Sequence, residues 1–306
     1  MVFKMTTKID PIYTEHIAEI LALDFYGNNH MACKVSKFPP SENNTLSFSS
    51  SIDVEFFIFP KNSIVIAKPE VVESLVDKGA SVVISSEPKY DYCRLFKHLL
   101  PPPFYGVHSS AVIGNDVILK EGVSVGAGSV LEGKILVGEG TIIGNNVVIK
   151  NKVQIGRNVR IRHGSIIGED AFSFGFSSKK DVKPDAIRFP SLGGVIIEDN
   201  VEIGNNCVIS RGTFGDTILG KRVLINDLAH IGNEVFISEG AVVTANTDVS
   251  SRVKIGKGCW IGQSASIRQG HVIGDGATVG MGAVVITDVP DDATVLGVPA
   301  KVKDLG

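Results

Sequence analysis

The side chains most able to do chemistry are unevenly spread. Four cysteines, Cys33, Cys93, Cys207 and Cys259, are scattered along 306 residues. No CxxC pair or Cys/His cluster gathers them, so neither a zinc site nor a disulfide framework is indicated, and no metal is expected. The stretch from Ala171 to Leu192, AFSFGFSSKKDVKPDAIRFPSL, is richer. Phe172, Phe174 and Phe176 alternate, and lysines, Arg188 and Phe189 follow. Such a segment reads as the wall of a binding site, or as a cover for apolar surface or a neighbouring subunit. A second short motif, RGTFGD, spans 211–216.

A repeat must position both segments. From Val107, every sixth residue is Val, Ile or Leu for eleven positions, ending at Ile167. The next residue is Gly at 114, 126, 138, 144, 156 and 168. The pattern pauses across 171–192 and resumes at Ile197, Ile203 and Ile209. After a four-residue insertion at RGTFGD it runs for twelve more positions, from Leu219 to Val285. A period of six matches neither an α-helix nor an ordinary antiparallel sheet. It matches a triangular coil in which each hexad is a short strand plus a corner. The aliphatic residue points inward, and Gly at the corner supplies backbone freedom. Three hexads close one coil, so twenty-six predict between about eight and nine coils, each burying what its neighbours expose. The fold class expected is mainly β: a left-handed parallel β-helix of hexapeptide repeats, preceded by a small α/β domain. A bare scaffold of this kind also serves as a passive spacer, but a spacer needs neither interruption.

Residues 1–105 carry no hexads. Asp10-Pro11 reads as a helix start, with IYTEHIAEILAL as an amphipathic helix. Residues 53–59 and 63–67 read as strands around Pro60, 68–79 as a short helix, 81–85 as a strand and 90–100 as a helix. Pro101-Pro102-Pro103 reads as a stiff linker. The β-helix is expected over 106–288, with the expelled loop at 171–192, and 289–306 is expected to turn away and cap it. A formal charge of −3, from 30 basic and 33 acidic residues, argues against a nucleic-acid groove. No stretch approaches 18 uninterrupted apolar residues and the N-terminus lacks a signal-type apolar run, so a cytoplasmic protein without a membrane span is expected.

VHSSAVIG (107–114), the Phe-rich loop after IGED, and GVIIEDNVEIGNNCVISRGTFGDTILG (194–220) together resemble UDP-3-O-acylglucosamine N-acyltransferase of lipid A synthesis. The ending VPDDATVLGVPAK (289–301) is instead similar to acetyl-CoA-dependent sugar acetyltransferases. The resemblance implies a homotrimer, an acyl donor lying between neighbouring subunits, and a nucleotide-linked amino sugar as acceptor. The acceptor amine must lose a proton as it attacks a thioester, which calls for a base and for oxyanion stabilisation.

The chain departs from the family at its usual His, where AHIGNEV (229–235) places Asn233, and at an Asp seven residues earlier, where Asn226 stands. A second family His, in a GH pair, is kept as His271. His230 matches a His of the related UDP-N-acetylglucosamine acyltransferases. Three readings stay open: His230 or His271 is the base; a neutral amine attacks unaided, oriented by Asn233; or the chain is an inactive paralogue. His163, two residues after Ile161, is either a corner residue or close to the acceptor. Phe174, Phe176 and Arg211 are candidate acceptor contacts. The family's nucleotide motif, SFxxNxxY, survives as Ser47 and Phe48 but has Ser51 and Val54 at its last two positions, so Phe48 stacks a base or packs in the core. UDP is favoured, with dTDP and GDP open.

For the donor, the family's carrier-protein-docking helix has no counterpart after the last hexad, and the LGVPAK ending suits coenzyme A. Gly262, Ser264, Ala265 and Gly280 are expected to let pantetheine lie against the backbone, Pro299 to pack on adenine and Lys301 to meet phosphates. The function expected is N-acetyl transfer from acetyl-CoA to a nucleotide-linked amino sugar for surface-polysaccharide synthesis, without acyl carrier protein. The alternatives are the lipid A reaction with a 3-hydroxyacyl carrier protein, and a non-catalytic trimeric sugar-nucleotide-binding module.

Overall fold

The computed structural model describes residues 6–51, 59–100, 106–177 and 186–303. The strand expected at 53–59 (except Phe59), Val54, the Pro101–103 linker and Lys179–Lys180 lie outside these residues. The chain divides into two compact units, Met1–Pro103 and Phe104–Gly306.

Among the described residues, the first unit is a six-stranded sheet with three α-helices. In chain order its elements are β1 (Thr6–Tyr13), α1 (Thr14–Leu21), β2 (Phe25–Tyr26), β3 (Met31–Ser36), β4 (Thr45–Ser49), β5 (Ile64–Ala67), α2 (Val72–Asp77), β6 (Ser81–Ile84) and α3 (Pro88–Leu99). The strand order is β1-β3-β4-β5-β6-β2. Strands β3 to β6 pair in parallel. The central strand β5, IVIA, is buried at every residue, as a parallel strand covered on both faces requires. The expected helix start at Asp10-Pro11 is corrected. Both residues lie in β1, and α1 begins at Thr14. Pro11 is tolerated there because β1 is an edge strand, and its pairing with β3 breaks between Lys8 and Ile12.

The second unit is the solenoid, a left-handed parallel β-helix. On one face Ile143, Ile161, Ile203 and Ile225 stand in successive register, each one coil beyond the last. The other two faces begin with the short strands Val112–Ile113 and Val117–Leu119, and in the next two coils are joined by continuous strands, Val130–Val137 and Val148–Ile155, that run round a corner in register with each other. Every hexad aliphatic from Val125 to Ile167, and from Ile197 to Val285, is buried in one core. Val107 is not; it is 47% exposed at the first coil.

From Val125 to Val285 nearly every hexad also buries the residue two before its aliphatic, such as Val147, Val159, Cys207 or Ala265, His271 being half-buried at that position. Where that residue carries a hydroxyl, the corner satisfies it. Ser129 Oγ donates to the Gly144 carbonyl at 2.7 Å and accepts from the Val147 N–H at 3.0 Å. Ser165 repeats this with Gly204 and Cys207. A buried aliphatic contributes about 2 kcal/mol, so stacked columns supply the driving force that one coil lacks.

The winding continues past Val285. Val289 and Val295 join the same core, and Thr294–Leu296 pairs in parallel with Thr278–Val279. The chain turns back only after Leu296, where Lys301–Val302 pairs antiparallel with Val295–Leu296. The segment expected to leave the solenoid at 289 therefore adds to it first. Among the described residues, no helix is long and apolar enough to cross a membrane, and no group of three His, Cys, Asp or Glu side chains is placed to hold a metal.

Candidate active site

Both interruptions leave the solenoid at the same corner. The chain exits after Ile166–Glu169 and returns at Val195–Ile197; one coil later it exits after Val208–Ser210 and returns at Thr217–Leu219. Ile167 stands beside Ile209, and Ile197 beside Leu219. In the next coil Ile231 stands beside Ile209 and Ile237 beside Leu219, so the corner between them holds Asn233 and Glu234. The expelled loop, the RGTFGD turn and Asn233 thus form one column.

Glu234 binds the turn. Its Oε1 accepts from the Thr213 hydroxyl at 2.9 Å, the Phe214 N–H at 2.8 Å and the Gly215 N–H at 3.1 Å. Partial burial pushes this carboxyl up, but the hydrogen bonds from the turn and the charge of Arg252 hold it below the usual carboxylate value. Asn233 Oδ1 accepts from Ser251 Oγ at 2.6 Å, and its Nδ2 faces Thr213 Oγ1 at 3.5 Å. The turn is also tied to the loop's return. Leu192 N–H donates to the Thr213 carbonyl and Gly193 N–H to that of Gly212. Phe214 meets Phe189 edge-on at 5.6 Å. Gly212 must be glycine, since a Cβ there would overlap the Gly215 carbonyl oxygen.

The loop's stem is a two-stranded hairpin, Phe174–Phe176 with Ala186–Arg188. Arg188 lies 4.9 Å over the Phe174 ring, while Phe176 is exposed. Arg211 anchors the base of the turn, donating from Nε to Asp170 Oδ1 at 2.7 Å. Its guanidinium is thereby committed to an ion pair and largely covered.

His230 lies on the flat face beside this corner. Its Nδ1 is 2.7 Å from Asp248 Oδ1, and Asp248 occupies the register position one coil on. The hydrogen bond from His230 holds the Asp248 carboxyl below its usual value. Ser250 Oγ donates to the other Asp248 oxygen at 3.3 Å. Half of each side chain of the pair is open to solvent. An imidazole that donates from Nδ1 to a carboxylate leaves Nε2 as an acceptor, which is the tautomer a general base needs.

His271 makes a similar contact, with Nδ1 at 3.0 Å from Asp288 Oδ1. It occupies the second inward position of its hexad, in the column of Val235 and Val253, and is the more enclosed of the two. A hydrogen bond from Val272 N–H, with that of His271, lowers the Asp288 carboxyl.

His163 belongs to a different corner. Its Nδ1 accepts the Asn145 N–H at 2.9 Å, within a ladder that continues through Asn205 to Asp227. That role places its proton on Nε2, so its ring presents a donor and the residue reads as a corner element. Asn226 also lies at that corner. Its Oδ1 accepts the Asp227 N–H at 2.8 Å, and it lines a shallow cavity of about 350 Å³ with Arg162, Leu224 and Trp260.

The expected nucleotide and donor residues are placed differently. Ser47 is fully buried in β4 and its Oγ has no partner among the described residues. Phe48 packs on Tyr92 at 4.9 Å, within the core of the first unit. Ala265 points into the solenoid core and reaches no surface groove. Gly262 and Gly280 are small because neighbouring coils press on them: Cβ atoms there would meet the Met281 backbone and the Leu296 side chain. Ser264 sits in a left-handed corner turn and accepts from Asn246 Nδ2 at 3.2 Å. Lys301 is exposed in the final strand, with Pro299 just before it. Coil stacking thus gives Gly262, Ala265 and Gly280 a packing role of their own.

Asp248, Ser251, Thr213 and Glu234 were not singled out from the sequence. Asp248 and Ser251 carry a usable signal, since each stands one coil length beyond its partner, His230 or Asn233.

Comparison with known families gives two matches, a bacterial transferase hexapeptide (six repeats) at 134–169 and a hexapeptide repeat of succinyl-transferase at 252–287. Both are hexapeptide-repeat models, each matching one stretch of the solenoid. It is 41% identical over 138 residues to UDP-3-O-acylglucosamine N-acyltransferase of Caulobacter vibrioides, covering 45% of this chain and 39% of that protein. With the enzyme of the same name from Leptothrix cholodnii it shares 44% identity over 193 residues, covering 56% and 55%. The chain thus spans about two-fifths to just over half of the length of these curated relatives. UDP-N-acetylglucosamine acyltransferase from Campylobacter jejuni has the same fold, with a TM-score of 0.53 at 21% identity over 65% of this chain and 74% of that one. The curated relatives overturn the acetyl-CoA expectation. They are N-acyltransferases of UDP-3-O-acylglucosamine, so the expected N-acetyl transfer for surface polysaccharide, and with it the exclusion of acyl carrier protein, is corrected.

Proposed function

We propose that this chain transfers a long acyl group to the amine of UDP-3-O-acylglucosamine, the N-acylation step of lipid A synthesis. The donor is a 3-hydroxyacyl thioester on acyl carrier protein. The working assembly is a homotrimer. Identity to two enzymes named for this reaction supports the substrate class. The observation that carries the chemistry is the His230–Asp248 pair at 2.7 Å, beside the corner where both solenoid interruptions emerge.

The acceptor amine attacks the thioester carbonyl, forming a C–N bond and breaking the C–S bond. His230 Nε2 takes the amine proton as that bond forms, and passes it to the departing thiolate. Asp248 fixes the imidazole tautomer and steadies the imidazolium. The family's acid/base pair, lost at positions 226 and 233, is thereby supplied three residues away from the usual His position. Asn233 acts as a positioning residue, with its amide oriented by Ser251 and Thr213. Arg211 braces the turn, and Phe174 and Phe176 belong to the loop that walls the acceptor. The test is mass spectrometry of UDP-3-O-acylglucosamine incubated with the chain and a 3-hydroxyacyl carrier protein. A product heavier by one acyl group supports the reading; an unchanged acceptor contradicts it.

A further inference from the structure

We infer that Glu234 is a positioning residue for the acceptor site, fastening the RGTFGD turn and the root of the expelled loop to the corner that bears Asn233; this rests on the N-acyltransferase reading. One carboxylate oxygen gathers three donors from consecutive residues of the turn, Thr213, Phe214 and Gly215. Charge-assisted bonds to backbone N–H groups are the stronger kind, and these groups have no strand ladder of their own at the turn. Glu234 is itself held. Its backbone is left-handed at φ 57°, and its N–H donates to Thr217 Oγ1 at 2.9 Å. The carboxylate is thus presented by a rigid corner and not by a mobile stem.

Two consequences reach the site. Thr213, which donates to Glu234, is also the hydroxyl that Asn233 Nδ2 faces. Phe214, whose N–H is bound, carries the ring that packs on Phe189 of the expelled loop. Release of Glu234 therefore frees the turn, loosens one contact of Asn233 and removes the aromatic prop of the loop. Neither His230 nor Asp248 touches Glu234, so the base is expected to survive its loss.

The test uses the full chain with two variants. Glu234→Gln keeps the length and one acceptor oxygen; Glu234→Ala removes both. In Glu234→Ala, amide hydrogen exchange should accelerate at least about tenfold in the peptide 211–217, through loss of charge-assisted bonds. It should also rise at 186–192 and stay unchanged in core strands such as 254–262. Acceptor KM should rise about tenfold with a smaller change in kcat, because positioning is lost and the base is kept. Glu234→Gln should restore most of both. Unchanged exchange at 211–217 in Glu234→Ala overturns the inference, as do KM and kcat both within about twofold of the parent. A parent chain inactive on every acceptor defeats the functional reading, and the exchange result then decides on Glu234 separately.

Discussion

Nδ1 of His230 stands 2.7 Å from Oδ1 of Asp248, a residue one coil further along the solenoid. Parallel stacking creates this relationship, since His230 and Asp248 are register partners on one face. Any outward pair one coil apart is brought within hydrogen-bond reach by strands about 4.8 Å apart. His163 shows the contrast. It receives a backbone N–H on Nδ1 and presents a proton on Nε2, so the same residue type offers an acceptor from a flat face and a donor from a corner.

If His230 is the base, His230→Ala should lower kcat by about 10²- to 10⁴-fold, the usual worth of general-base catalysis. Asn233→Ala should cost less in kcat and more in KM. Steady-state kinetics on both variants check this. A larger kcat loss in Asn233→Ala than in His230→Ala would favour unaided attack by a neutral amine.

Asp248 should make folding mildly pH-dependent. Its carboxyl is lowered in the folded chain by the His230 hydrogen bond. A lowered carboxylate contributes stability above its unfolded value, near 4, that is lost as pH falls through the lower folded value. The Tm difference between the parent and Asp248→Asn should thus be largest above about pH 5 and close below about pH 4. The gap should be small, because the pair is half exposed. Thermal melts from about pH 3 to 8 read it directly.

Gly212→Ala should disturb the turn without unwinding the coil. Its Cβ would overlap the Gly215 carbonyl, while the strands on either side, Val208–Ser210 and Thr217–Leu219, are held by their own ladders. Activity should fall at least about tenfold, as misplacement near a site commonly does, with far-ultraviolet circular dichroism unchanged.

Ile209→Ala tests the stack itself. Ile209 is fully buried between Ile167 and Ile231. The cavity should cost about 2–5 kcal/mol, read as a lower melting temperature. An equal change at the exposed Val298 should cost under about 0.5 kcal/mol.

The solenoid was legible because its period is written directly in residue type. Ile143, Ile161 and Ile203 repeat one role with one chemistry. The first unit was harder. Asp10-Pro11 carries a local helix-start signal, yet tertiary pairing with β3 made it an edge strand. The site was read only in part. Asn233, His230 and Arg211 stood out by type, whereas Glu234 and Asp248 gain meaning from partners one coil away. Gly262, Ala265 and Gly280 carry two meanings at once, because small residues serve coil packing as readily as ligand access.

The most direct measurement is thiol release from a 3-hydroxyacyl carrier protein in the presence of UDP-3-O-acylglucosamine, compared with acetyl-CoA on the same acceptor. Fast release from the carrier protein, absent with acetyl-CoA and reduced at least about a hundredfold in His230→Ala, is the predicted result. Release from acetyl-CoA alone, or equal turnover by His230→Ala, would contradict the assignment of donor or of base.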